Sequence, residues 1–156
     1  MSEHDEQTAL FLWASSAYAL QKWPQIERMF AVPNGGYRSK KTAGAMKMEG
    51  QKSGVPDILL PFSVGGFVGL IFEMKYQTNT CSQEQVGWLN YFNQQNWLVG
   101  VCYSYENAKV LIERYLSARI EEDEEIAYLN FINGKQSAKE KKELKFKLRL
   151  IDKNYE

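Results

Sequence analysis

Asp57, directly after Pro56, and Glu73-Met74-Lys75, at the end of the next apolar run, are the residues of this chain best suited to chemistry. Residues 57–62 and 67–75 read as two strands joined through Gly65-Gly66, a glycine pair of the kind hairpin turns use. A turn centred near Gly65 sets Asp57 opposite Glu73. Directly opposed residues of an antiparallel pair bring their Cβ atoms to about 4.5–5.5 Å, and side chains two apart on a strand share a face, so Lys75 joins them.

Two carboxylates side by side in an apolar setting raise each other's pKa, and desolvation adds to the cost. A cation resolves that conflict. Hard oxygen ligands without a nearby thiolate or imidazole favour Mg²⁺ or Mn²⁺ over zinc, and Mg²⁺ commonly takes one or two carboxylates and fills its shell with water and phosphate. Such an ion can polarise a phosphodiester and acidify an attacking water, with Lys75 orienting the water or offsetting charge on the phosphate. The bland alternative is a hairpin whose Asp57 caps a turn and whose Glu73 and Lys75 form a solvated ion pair.

The elements that must position these groups follow from periodicity and caps. Ser2 with Asp5 signals a helix start, and Leu10, Trp13, Ala14, Ala17 and Leu20 supply the apolar stripe of one first helix, limited by Pro24. A short helical segment follows over 25–30, then an Asn34-Gly35-Gly36 turn and a basic loop leading to the hairpin. Ser82 starts a helix on which Gln85, Trp88, Leu89 and Phe92 share a face, with Trp88 read as core and Asn96 as the stop. Residues 97–103 read as a buried strand reached by a right-handed crossover. Ser104 then caps a last helix with Ala108, Leu111, Ile112, Tyr115 and Leu116 turned inward.

Composition suits a single folded domain: 156 residues, 44% hydrophobic and 13% aromatic. No apolar run reaches membrane-spanning length and the acidic start does not read as a signal peptide, so a cytoplasmic protein without a membrane partner is expected. Cys81 and Cys102 form no metal or redox motif and read as free thiols. Net charge is zero, yet between Gly35 and Pro56 stand Arg38, Lys40, Lys41, Lys47 and Lys52 against only Glu49, a local excess suited to backbone phosphates or to a solvated loop. His4, the single histidine, is expected on an exposed first turn and outside the chemistry.

Residues 32–38 (VPNGGYR), 49–57 (EGQKSGVPD), 72–75 (FEMK) and 82–88 (SQEQVGW) resemble, in order and spacing, the virus-type replication-repair nuclease (VRR-NUC) family of the PD-(D/E)XK nuclease superfamily, over approximately residues 3–116. The resemblance implies a restriction-endonuclease-like α/β core, a mixed β-sheet flanked by helices, with the nuclease domain over 1–117 and a charged extension over 118–156. It implies a Mg²⁺- or Mn²⁺-dependent endonuclease acting on DNA, with Asp57 and Glu73 as metal ligands and Lys75 beside them. It also assigns Gln85 to the active site, although Ser82-x-x-Gln85 is equally a capping box. A first-helix glutamate is implied as well. The family's Glu-then-Gln pattern points to Glu3, with Glu6 the alternative, and either residue could simply complement the helix dipole. Asn34 and Arg38 are candidates for DNA contact, with ordinary turn chemistry as the other reading.

Phage-borne, free-standing members of the family resemble junction-resolving enzymes, which implies branched DNA, a four-way junction in particular, and a homodimer. Host-cell cytoplasm would then be the location. A monomeric nicking or flap nuclease, a non-catalytic DNA-binding subunit and an RNA-directed enzyme are the competing readings. In the extension, the acidic run 121–125 and the basic stretch 139–147 suit solvated faces, while Phe146, Leu148 and Leu150 alternate with Lys and Arg as in a half-buried strand. That stretch could serve a dimer interface, the core or DNA.

Overall fold

A computed structural model describes residues 1–34 and 39–118. The proposed extension, apart from Ala118, and Arg38 lie outside the described residues.

Serines start the helices. Ser2, Ser16, Ser39, Ser82 and Ser104 each place a side-chain oxygen on a first-turn amide, satisfying one of the donors a helix start leaves orphaned. The expected single first helix is therefore two: α1 (Glu3–Ala14) and α2 (Ala17–Lys22), broken where Ser16 caps the second. The break resets the helical phase, so Ala19 is buried and the predicted Ala17 is exposed. A 3-10 turn over Pro24–Arg28 follows, then a two-residue strand β1 (Phe30–Ala31). The expected basic loop is also corrected: Ser39 caps a helix, α3 (Lys40–Met48), which buries none of its residues.

Strand β2 (Ile58–Leu60) runs antiparallel to β1 and to β3 (Leu70–Met74). Ile58 faces Phe72 across the pair, a register that sets Asp57 opposite Glu73 as the turn position predicts. The ladder is shorter than expected because Pro61 ends β2; the connection then narrows to a tight turn, where Val64 and Phe67 exchange backbone hydrogen bonds around Gly65 and Gly66, both at positive φ. Helix α4 (Gln83–Gln94) carries the chain to β4 (Leu98–Cys102), parallel to β3, and α5 (Tyr105–Leu116) follows. The four strands form one mixed sheet in the order β1-β2-β3-β4.

Strand alternation sorts the core into two layers. Ile58, Leu60, Leu70, Phe72 and Met74 pack with Leu10, Ala14, Ala108 and Ile112 of α1 and α5. Ile71, Val99 and Val101 pack on the other face with Leu89 of α4. The α/β architecture is thus a sheet between α1/α2/α5 and α4. Among the described residues no helix is long and apolar enough to cross a membrane.

Candidate active site

The parity that buries Ile71 against α4 also sends Glu73 and Lys75 to that face, and Asp57 joins them from the end of β2. Glu73 is 1% exposed and Lys75 is buried. The Lys75 Nζ donates to Glu73 Oε1 at 2.8 Å. The Met74 backbone N–H donates to Asp57 Oδ2 at 2.8 Å, so the aspartate takes the place of a strand carbonyl at this rung.

Gln85 serves both of its expected roles at once. Its Oε1 accepts the Ser82 backbone N–H at 2.8 Å, completing the capping box, while its Nε2 donates to Glu73 Oε1. One oxygen of Glu73 therefore receives two donors. The other, Oε2, is buried and receives no N–H donor; the group beside it is the Asp57 carboxyl.

The charges conflict as this geometry requires. Burial, then repulsion from Asp57, pushes the Glu73 carboxyl up to about 7 despite Lys75. Burial likewise raises Asp57, although the Met74 amide and Lys75 pull it back. Burial opposes the charge of Lys75, but its hydrogen bond to Glu73 and the charges of Glu73 and Glu3 outweigh that and hold it above the ordinary lysine value.

Glu3 and Glu6 separate cleanly. Glu6 is buried, and its Oε2 accepts the Tyr105 backbone N–H, tying α1 to the amino end of α5. Glu3 stands within electrostatic range of Lys75 and Asp57, and partial burial raises its pKa. His4 is exposed.

The segment before Asp57 is clamped from two sides. The Asn34 side-chain amide donates to the Val55 carbonyl, so this residue supports the approach to the aspartate. On the other side the Trp88 indole N–H donates to the Ser53 carbonyl at 3.0 Å. Trp88 is only half-buried, which corrects its assignment to the core: Leu89 takes the inward position on α4, and the indole lies over the 52–55 segment. Gly54, at φ +78, is pressed so closely on α4 that an added Cβ would stand 2.7 Å from the Glu84 Cβ and 2.9 Å from its carbonyl carbon. Gly54→Ala combines a disfavoured φ with a clash against backbone. We expect urea unfolding to report a loss of roughly 1–3 kcal/mol, with a parallel fall in activity as Gln85 moves.

Lys40, Lys41, Lys47 and Lys52 are all exposed, the first three on α3 and the last in the clamped segment. Cys81, which the sequence reading left out of the site, lies within range of Glu73, Lys75, Asp57 and Glu3; burial, then the carboxylates, pushes its thiol up to about 11. Its position immediately before the Ser82 cap was the available signal. Neither Cys81 nor Cys102 is in a disulfide.

Among the described residues no three His, Cys, Asp or Glu side chains converge as a metal-holding group. The available donor set is therefore the Asp57–Glu73 pair. A buried Glu73 Oε2 with no N–H donor, facing a second carboxyl, fits a divalent cation that draws most of its shell from water and phosphate.

A mixed sheet between helix layers, with this carboxylate pair and lysine on its α4 face, is the architecture of a PD-(D/E)XK-type nuclease. The VRR-NUC domain model matches residues 18–106, more than half the chain, and the protein belongs to that family. The match begins after α1, so the placement of Glu3 stands on electrostatic geometry alone. A solved structure described as a VRR_NUC domain protein shares the fold at a TM-score of 0.64 and 20% identity, over 76% of this chain and 90% of that one. No curated protein matches the chain.

Proposed function

We propose that this protein is a divalent-metal-dependent endonuclease that hydrolyses DNA phosphodiesters at the Asp57–Glu73–Lys75 site. The observation that carries this reading is the buried Glu73 Oε2, given no N–H donor and crowded against the Asp57 carboxyl, a cost that a bound cation would offset. Mg²⁺ or Mn²⁺ held by Asp57 and Glu73 would supply Lewis-acid charge to the phosphate and acidify an attacking water. Lys75 holds a proton at Nζ and presents positive charge where the phosphate gains negative charge. Gln85 fixes the orientation of Glu73 from the stiff first turn of α4. Glu3 helps keep Lys75 protonated.

The substrate we favour is branched DNA, a four-way junction cut symmetrically by a homodimer, because paired cuts on opposed strands need two related sites. The domain then covers 1–117, with 118–156 available for dimer contact. The test is cleavage of end-labelled four-way junction, flap and linear duplex with Mg²⁺ or Mn²⁺ and with chelator. Paired symmetric cuts confined to the junction and lost in chelator support this reading; single nicks or flap removal by a monomer would replace it with the simpler nuclease. Lys40 and Lys41 on exposed α3 are proposed phosphate contacts, and Asn34 and Arg38 are further proposed DNA contacts. Changing Lys40 and Lys41 together to Gln should reduce the slope of log affinity against log salt by about 2, measured by fluorescence anisotropy.

A further inference from the structure

Beside the candidate active site, α4 and the segment before Asp57 enclose an open groove of about 580 Å³ lined by Lys52, Ser53, Glu84, Gly87, Trp88 and Tyr91. Its walls are mostly apolar ring and backbone. Trp88 already spends its indole N–H on the Ser53 carbonyl, so the ring is held in place where it lines the groove. Tyr91 stands edge-on to Trp88 at an interplanar angle of 89° and is 51% exposed. Gly87, one turn before Tyr91 on the helix, carries no side chain, and the space its Cβ would enter is open.

We infer that this groove is a stacking site for one unpaired nucleobase of the DNA strand being cut. The inference rests on the nuclease reading above and adds to it a contact with the base, where the site itself handles only phosphate. Three features select this occupant. A rigid indole and a second aromatic at right angles form the platform and wall that a planar base fills, and stacking is indifferent to base identity. Lys52 gives the groove one cationic end for the phosphate of the same nucleotide, while the Glu84 carboxylate turns phosphate away from the helix side. The groove also shares a helix with the site: Gln85, which touches Glu73, precedes Trp88 by less than one helical turn, a rise of about 4.5 Å. A base seated there belongs to a nucleotide within a few steps of the scissile phosphate. Paired DNA cannot fill the groove without unstacking, so the site favours DNA already open at a branch.

The test is equilibrium binding by the full chain, in chelator so that nothing is cut. Fully paired duplex is compared with the same duplex carrying a short unpaired arm, and with that arm made abasic. Tyr91→Ala removes the exposed wall, and Gly87→Leu fills the groove on a helix position that accepts a side chain. Wild type should prefer the armed DNA, and each variant should lose roughly tenfold affinity for it with duplex and abasic-arm binding unchanged. Equal losses on armed and paired DNA, no loss on either, or an abasic arm bound as tightly as a normal one would each overturn the stacking site and leave the nuclease reading standing. A wild-type protein that binds none of the three would overturn both.

Discussion

Asp57→Asn and Glu73→Gln should each lower the proposed metal-dependent cleavage by roughly a thousandfold or more, since each removes one of the two proposed charged ligands, where several kcal/mol of transition-state stabilisation would be supplied. The amide variants are the informative ones. Asp57→Ala also strips the Met74 N–H of its acceptor, and an unsatisfied strand amide costs about 1–3 kcal/mol. Asp57→Asn keeps an acceptor oxygen there and so separates loss of charge from loss of structure. Cleavage kinetics beside urea unfolding give both numbers. Full activity in either amide variant would move the catalytic centre elsewhere.

The second large effect is on stability, with the opposite sign. Glu73 has its carboxyl raised from 4.5 to about 7 by burial and by Asp57. The folded state therefore holds that proton more tightly than the unfolded chain. Stability is fully present below about pH 4.5 and is lost as pH rises through about 7. Asp57, also raised, acts in the same direction. The loss is of the order of 3 kcal/mol at most. Metal-free wild type should thus unfold more easily at pH 8 than at pH 5. Glu73→Gln, which cannot ionise and still offers Lys75 an acceptor, should flatten this dependence and exceed wild type at pH 8. Mg²⁺ should stabilise wild type at pH 8 and leave Glu73→Gln unmoved. Thermal unfolding at both pH values, with chelator and with Mg²⁺, tests it. A Glu73→Gln protein weaker than wild type at pH 8 would mean that the Lys75 pair outweighs the repulsion.

The hairpin was legible because its turn chemistry is local: Gly65-Gly66 sets the register, and the register sets Asp57 against Glu73. Gln85 was half-legible, since the capping box is a four-residue pattern but contact with Glu73 needs the helix to cross the sheet. Helix α3 left no apolar period to read because it buries nothing, and β1 consists of two exposed residues held by pairing with β2. The break between α1 and α2 lay in a second serine cap inside what reads as one stripe. Glu6 was beyond reach for another reason: its partner amide is 99 residues away. Trp88 was assigned by hydrophobicity, whereas its ring and its N–H face different surroundings.

The rung at Met74, where an aspartate stands in for a strand carbonyl, also sets how firmly the site is held. Asp57 closes the ladder between β2 and β3, and Gln85 closes the first turn of α4. The groups that meet at Glu73 are therefore bound into a capped helix start and the fully buried strand β3, and a buried central strand opens only near global unfolding. The Met74 amide should exchange with solvent as slowly as its neighbours in β3. Amides of α3, which buries no residue, should exchange at far lower protection. On the proposed function, the adaptability needed to follow differently shaped DNA is then placed in α3, and the site itself stays rigid.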